Sequence, residues 1–156
     1  MELIVVLFII SIMFVFAIPE VHQGIFRDDT DIALNWIVLN VGKMKKDSRH
    51  QGKDLFMCIH PFTNSITIRE SSLSSASLEK SIISTFSLPE NVHLEGVKFN
   101  TPGRETDNTS CIQFYKNGYS DHAIIHVSDN DRNRFSCLIQ PFLHKVKIYE
   151  KYIEFE

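Results

Sequence analysis

His122 and His126 stand four residues apart, and two imidazoles can chelate a metal only if both reach the same ion. The alternation around them predicts a strand, on which that spacing separates them by about 13 Å along one face at roughly 3.3 Å per residue. They are therefore expected to be surface histidines rather than a metal pair. Cys58 and His60 share a strand face as C-x-H, but no third and fourth ligand stands near in sequence, so packing is their expected role. Ser128 to Asn133 begins like a calcium loop, yet the sixth loop position is Arg134 instead of glycine and the twelfth is Gln140 instead of glutamate. A polar hairpin tip accounts for that stretch. The chain has no G-x-S-x-G, no phosphate-cradling glycine loop and no paired carboxylates whose spacing alone would support acid–base work. No catalytic residue, metal site or cofactor is expected, and an enzyme is the least supported class.

The elements that must position these residues divide the 156-residue chain unevenly. Met1 to Ile18 contains only Glu2 and Ser11 as polar residues. Eighteen helical residues reach about 27 Å, close to the roughly 30 Å hydrocarbon thickness of a bilayer, which predicts a single membrane span. A cleavable secretory signal would carry a positive start and a shorter apolar stretch, whereas the early charge here is negative. Beyond Pro19, Ile25, Ile32, Trp36 and Leu39 fall on one side of a 3.6-residue helix, widened by Leu34, Ile37, Val38 and Val41. Acidic Asp28, Asp29 and Asp31 precede basic Lys43, Lys45, Lys46 and Arg49, the order a helix dipole favours, and Gly52 supplies a stop. Residues 1–18 thus read as the transmembrane half of a long helix and 19–51 as its amphipathic half. Together they would form a rod of about 75 Å, far longer than one small domain needs, so its first half must serve something outside the domain.

From residue 52 onward the hydrophobic period becomes two, and strands are expected at 54–60, 64–69, 81–87, 92–99, 111–116, 122–128, 134–140 and 145–150. The last four read as consecutive antiparallel hairpins. The formal charge of −3 offers no global basic field for nucleic acid or an anionic membrane. Three cysteines are too few for a disulfide-dense scaffold. Cys111 and Cys137, on strands one hairpin apart, are the pair to test for a bridge, and three buried free thiols are the alternative.

The opening MELIVVLFIISIMFVFAIPE resembles the N-terminal segment of type IV pilins and type II secretion pseudopilins, which reads G-F-T-L-x-E followed by an apolar run and a proline. Aligning that proline with Pro19 places the family glutamate on Glu2 and leaves the peptidase cleavage motif upstream of Met1. The C-terminal half resembles the GspH/FimT group of minor pseudopilins and minor pilins. The matching stretches are Leu88-Pro89-Glu90-Asn91-Val92-His93-Leu94-Glu95-Gly96-Val97, Ile112-Gln113-Phe114-Tyr115-Lys116-Asn117-Gly118-Tyr119-Ser120, Ile125-His126-Val127-Ser128-Asp129, and Cys137-Leu138-Ile139-Gln140-Pro141 running into Lys145-Val146-Lys147-Ile148. His144 departs from the pattern, which usually has glycine in that turn, so the turn there is expected to take another shape.

The resemblance implies an α+β, pilin-like fold, in which a long N-terminal helix carries an antiparallel two-sheet β domain placed in the periplasm. It implies assembly with other pseudopilins through that helix at the bacterial inner membrane, after cleavage by a prepilin peptidase if the true start lies upstream. A carboxylate in hydrocarbon costs about 2.5–3.5 kcal/mol, so Glu2 would need a partner, which in pilin-like assemblies is taken to be the free amino terminus of a neighbour. Pro19 would let the helix bend as it leaves the bilayer. A FimT-like minor pilin taking up DNA is the competing reading, and Lys145 and Lys147 stand where that group carries basic residues. From His144 to Glu156, however, three lysines balance three glutamates, so nucleic acid is the less favoured partner. A membrane-anchored periplasmic domain that binds a small ligand is a third reading, one that requires neither Glu2 nor cleavage.

Overall fold

The computed structural model describes residues 29–71, 81–101 and 109–155. Helix α1 (Asp29–Gln51) ends where the sequence places its stop. Gly52 takes a left-handed φ of 66°, and the Lys53 amide returns to the Ser48 carbonyl at 3.2 Å, a six-to-one closure that satisfies a last-turn acceptor. The helical periodicity holds, but the buried face differs from the expected one. Ala33, Leu34, Ile37, Val41 and Met44 point inward, whereas Ile32 is 43% and Leu39 72% exposed. Trp36 lies at the margin, stacked on Phe86 with ring centroids 4.4 Å apart. Apolar residues occupy more than half of the helix circumference, so periodicity alone could not say which part of that arc meets the sheets.

Eight strands follow, namely β1 (Leu55–His60), β2 (Ser65–Glu70), β3 (Ser81–Ser87), β4 (Val92–Phe99), β5 (Ser110–Phe114), β6 (Ala123–Asp129), β7 (Arg134–Ile139) and β8 (Lys147–Tyr149). They form two four-stranded antiparallel sheets, ordered β3-β2-β1-β5 and β4-β6-β7-β8. The expectation of four consecutive hairpins at the end is corrected here, because β5 leaves that series and pairs with β1. Met57 opposes Ile112 and Leu55 opposes Phe114, so alternate residues of β5 complete the core face of the first sheet. Only β6, β7 and β8 form the hairpin run.

One apolar cluster joins the buried face of α1 to both sheets. In β4 the register shifts between Leu94 and Gly96, and Gly96 holds a φ of 142°. That bulge lets Leu94 and Val97 both face inward although they are three residues apart. Asn64 stitches the sheets together from the β1–β2 turn, where its φ is 46°. Its side-chain amide donates to the Val92 carbonyl at 2.6 Å and accepts from the Leu94 amide at 3.0 Å, pairing with β4 as a neighbouring strand would. Its own carbonyl accepts from the Leu88 amide at 3.0 Å.

Candidate functional site

The structure first disposes of the metal candidates. Cys58 and Cys111 face each other across the β1–β5 ladder and form a disulfide, while Cys137 is a free thiol buried between β6 and β8. The expected Cys111–Cys137 pair is thus corrected. The two residues sit in different sheets, because β5 pairs with β1 and not with the strand that follows it. His60 hydrogen-bonds Thr109 Oγ1 at 3.0 Å and Thr67 Oγ1 at 2.9 Å, so both ring nitrogens are occupied. Burial, with Arg69 nearby, holds its pKa below the usual histidine range. The calcium-like stretch is the β6–β7 hairpin tip, where both Asp129 carboxylate oxygens accept from Asn133 at 2.9 Å. Among the described residues no group of three metal-ligating side chains converges. His126 is a further correction, being 3% exposed and not a surface residue.

The exposed surface carries two further features. The outward side of α1 carries Ile32 and Leu39, seven residues and nearly two turns apart, with Asn35, Lys43 and Lys46 exposed around them. Single exposed apolar residues are ordinary. Ile32 and Leu39 are aligned on the outward side of α1 and form a short apolar stripe there.

A second feature lies where α1 ends. Lys45 is 1% exposed, and its ammonium donates to the carbonyls of Gln140 at 2.5 Å, Leu143 at 2.6 Å and Pro141 at 3.4 Å. Burial pushes its pKa down to about 8. Pro141 also accepts from the Ser120 amide at 3.2 Å, so the turn after β7 is clasped from inside. Outside, Phe142 is 82% and Leu143 50% exposed, and Phe142 leans on Tyr119, which stacks on Tyr115 at 4.4 Å. His144 in this turn is not left-handed, as its departure from glycine led one to expect.

The F-Y-x-N-G-x-S stretch forms the neighbouring turn. Gly118 has a φ of 88° and presses on the Arg49 side chain, so an added Cβ would meet Arg49 Cδ at 3.2 Å. Asp121 accepts from the Gln113 amide at 2.8 Å and from the Tyr115 hydroxyl at 3.0 Å, and Asp54 accepts from the Lys116 amide at 2.8 Å. Lys145 and Lys147 are both exposed, Lys147 on edge strand β8. Glu2 and Pro19 lie outside the described residues, and so does the predicted span; among the described residues no helix is long and apolar enough to cross a membrane. Sequence reasoning missed Lys45 as an anchor, because a lysine among Lys43 and Lys46 reads as solvated charge.

No family model and no curated protein matches the chain. Among solved structures, it is similar to the minor pseudopilin EpsH from the type 2 secretion system of Vibrio cholerae, with a TM-score of 0.60 at 10% identity, covering 79% of this chain and 98% of that one. A second structure of the same pseudopilin gives 0.54 at 10% identity over 75% of this chain and 97% of that one. The fold of the described residues, one helix with two four-stranded antiparallel sheets, is the GspH-type pseudopilin fold.

Proposed function

We propose that this chain is a minor pseudopilin of a type II secretion system, assembling at or near the tip of the pseudopilus to support export of folded proteins. The observation that carries the reading is a pseudopilin-type sandwich whose helix keeps an apolar stripe, Ile32 and Leu39, turned away from its own core. In this reading Met1 to Ile18 anchors the chain in the bacterial inner membrane and the β domain stands in the periplasm. Glu2 meets the amino terminus of a neighbouring pseudopilin, Pro19 bends the helix, and a prepilin peptidase acts upstream. The Cys58–Cys111 disulfide supports a location outside the reducing cytoplasm. In this reading the role is structural, that of a subunit packed against other subunits.

The test replaces Leu39 by Asp in cells that carry the intact system. Loss of exoprotein export and of co-capture with other pseudopilins is expected, while the purified variant melts as the parent does; unchanged export and capture would sink the reading. A FimT-like DNA-binding pilin remains the second reading, because Lys145 and Lys147 are both exposed. Glu150 and Glu154, also exposed, follow them closely and weaken the local field. Salt-dependent duplex binding that disappears in Lys145→Glu/Lys147→Glu would favour it.

A further inference from the structure

After β8 the chain turns back, and residues 151–155 cross the outer face of the second sheet. Ser136 Oγ donates to the Lys151 carbonyl at 2.7 Å and accepts from the Ile153 amide at 3.2 Å, so one hydroxyl grips the main chain on both sides of Tyr152. The same oxygen lies 3.1 Å from His126 Nδ1. A serine has one hydroxyl hydrogen, already given to Lys151, so His126 Nδ1 must carry the proton in that third bond. Nε2 is then a bare acceptor, and it is buried without a partner.

Side chains complete the grip. The Tyr152 ring stacks on His126 with centroids 4.1 Å apart, and Phe155 meets His122 edge-on at 4.6 Å. Ile124 lies between these histidines on the same strand face and is 1% exposed although it is no member of the core cluster. The guanidinium of Arg134 stands 5.8 Å from the Tyr152 ring. No ladder pairing holds this segment among the described residues; the Ser136 hydroxyl, the two aromatic contacts and the Arg134 guanidinium hold it.

We propose that this face, formed by His122, Ile124, His126 and Ser136, is a receptor groove for an extended segment of a partner protein with aromatic side chains three residues apart, and that the chain's own residues 151–155 fill it in cis. The cis segment displays the chemistry that the groove accepts: an extended backbone with free amide and carbonyl groups around a first aromatic ring, and a second ring three positions on. The groove lies on another face from the α1 stripe, so the two readings fail separately. Protonation of His126 would put a charged N–H at Nε2 with no acceptor, and burial already holds its pKa below 6.5. Glu95 and Lys98 on β4, Arg134 on β7 and Glu154 on the segment itself also face it, with opposing signs. Occupation is therefore weaker in acid.

The experiment uses the full chain carrying Tyr152→Ala and Phe155→Ala, titrated with the labelled hexapeptide Glu-Lys-Tyr-Ile-Glu-Phe. Binding at least tenfold tighter than to the parent chain is expected, because the parent's own segment competes. Binding should fall tenfold or more when Ser136→Ala is added, and it should weaken between pH 7 and pH 5. No saturable binding to a variant that still melts cooperatively overturns the proposal, as does binding indifferent to Ser136→Ala. If the double variant does not fold, the parent chain decides: excess peptide must speed hydrogen exchange at the Ile153 amide severalfold, and unchanged exchange overturns the groove. Dimers of the parent formed by exchange of this segment would make the occupant a second copy and overturn the assignment to another protein.

Discussion

Asn64 and Cys137 show how differently two single residues carry this fold. Asn64 accepts and donates to β4 from a left-handed turn position, so Asn64→Ala loses both bonds and leaves the Val92 carbonyl and Leu94 amide short of partners. A loss of about 1–3 kcal/mol in urea unfolding is expected, and Asn64→Asp, which keeps an acceptor for Leu94 and loses the donor to Val92, should fall between parent and alanine. Cys137 is inert by contrast, because burial pushes its thiol up to about 12 and withholds the reactive thiolate. Under non-reducing conditions one thiol per chain should alkylate, and only after denaturation; a second reactive thiol would contradict the Cys58–Cys111 bridge.

At the scale of elements, the helix and the turn after β7 are joined through one cation. Lys45→Met would leave the Gln140 and Leu143 carbonyls without their donor and should free the turn, read as faster hydrogen exchange around residues 140–145 and a lower melting temperature at pH 7. The pH dependence has a definite sign. The folded pKa, about 8, lies below the ordinary 10.5, so between these values the unfolded chain binds the extra proton and stability rises with pH. The parent should therefore gain stability relative to Lys45→Met from pH 8 to pH 10, checked by paired denaturant titrations. Ile32→Asp and Leu39→Asp lie on the exposed side of the same helix and should change isolated stability by no more than about 0.5 kcal/mol, so a defect in assembly would be one of surface.

At the scale of the whole fold, two sheets and one helix share a single core among the described residues, and the surfaces left over face different ways: the α1 stripe, the Phe142–Leu143 turn and the outer face of the second sheet. Three histidines with lowered pKa values, His60 on the first sheet, His126 on the second and His122 just before β6, predict acid sensitivity of the whole fold. In each case the unfolded chain protonates first as pH falls through about 6.5, so stability should decline below that value. Melting temperatures from pH 7.5 to pH 5 check this, and His60→Gln/His126→Gln should flatten the curve.

The sequence by itself determined the helix, its stop at Gly52, the change to a period of two, the positions of the strands and the hairpin tip at Asp129, because each depends on side-chain spacing or on a local turn. The apolar opening between Glu2 and Pro19 and the F-Y-x-N-G-x-S stretch carried the family resemblance, and the fold agrees with it. Tertiary structure alone decided the partners of those elements. Alternation says that β5 has an inward face but not which strand it lies beside, so the disulfide moved from Cys111–Cys137 to Cys58–Cys111. A broad apolar arc on α1 could seat on either side, and packing chose Leu34, Ile37 and Val41 while leaving Ile32 and Leu39 outside. Lys45 and His126 read as surface residues because burying a polar group depends on acceptors or rings supplied from distant parts of the chain, here the carbonyls at Gln140 and Leu143 and the ring of Tyr152.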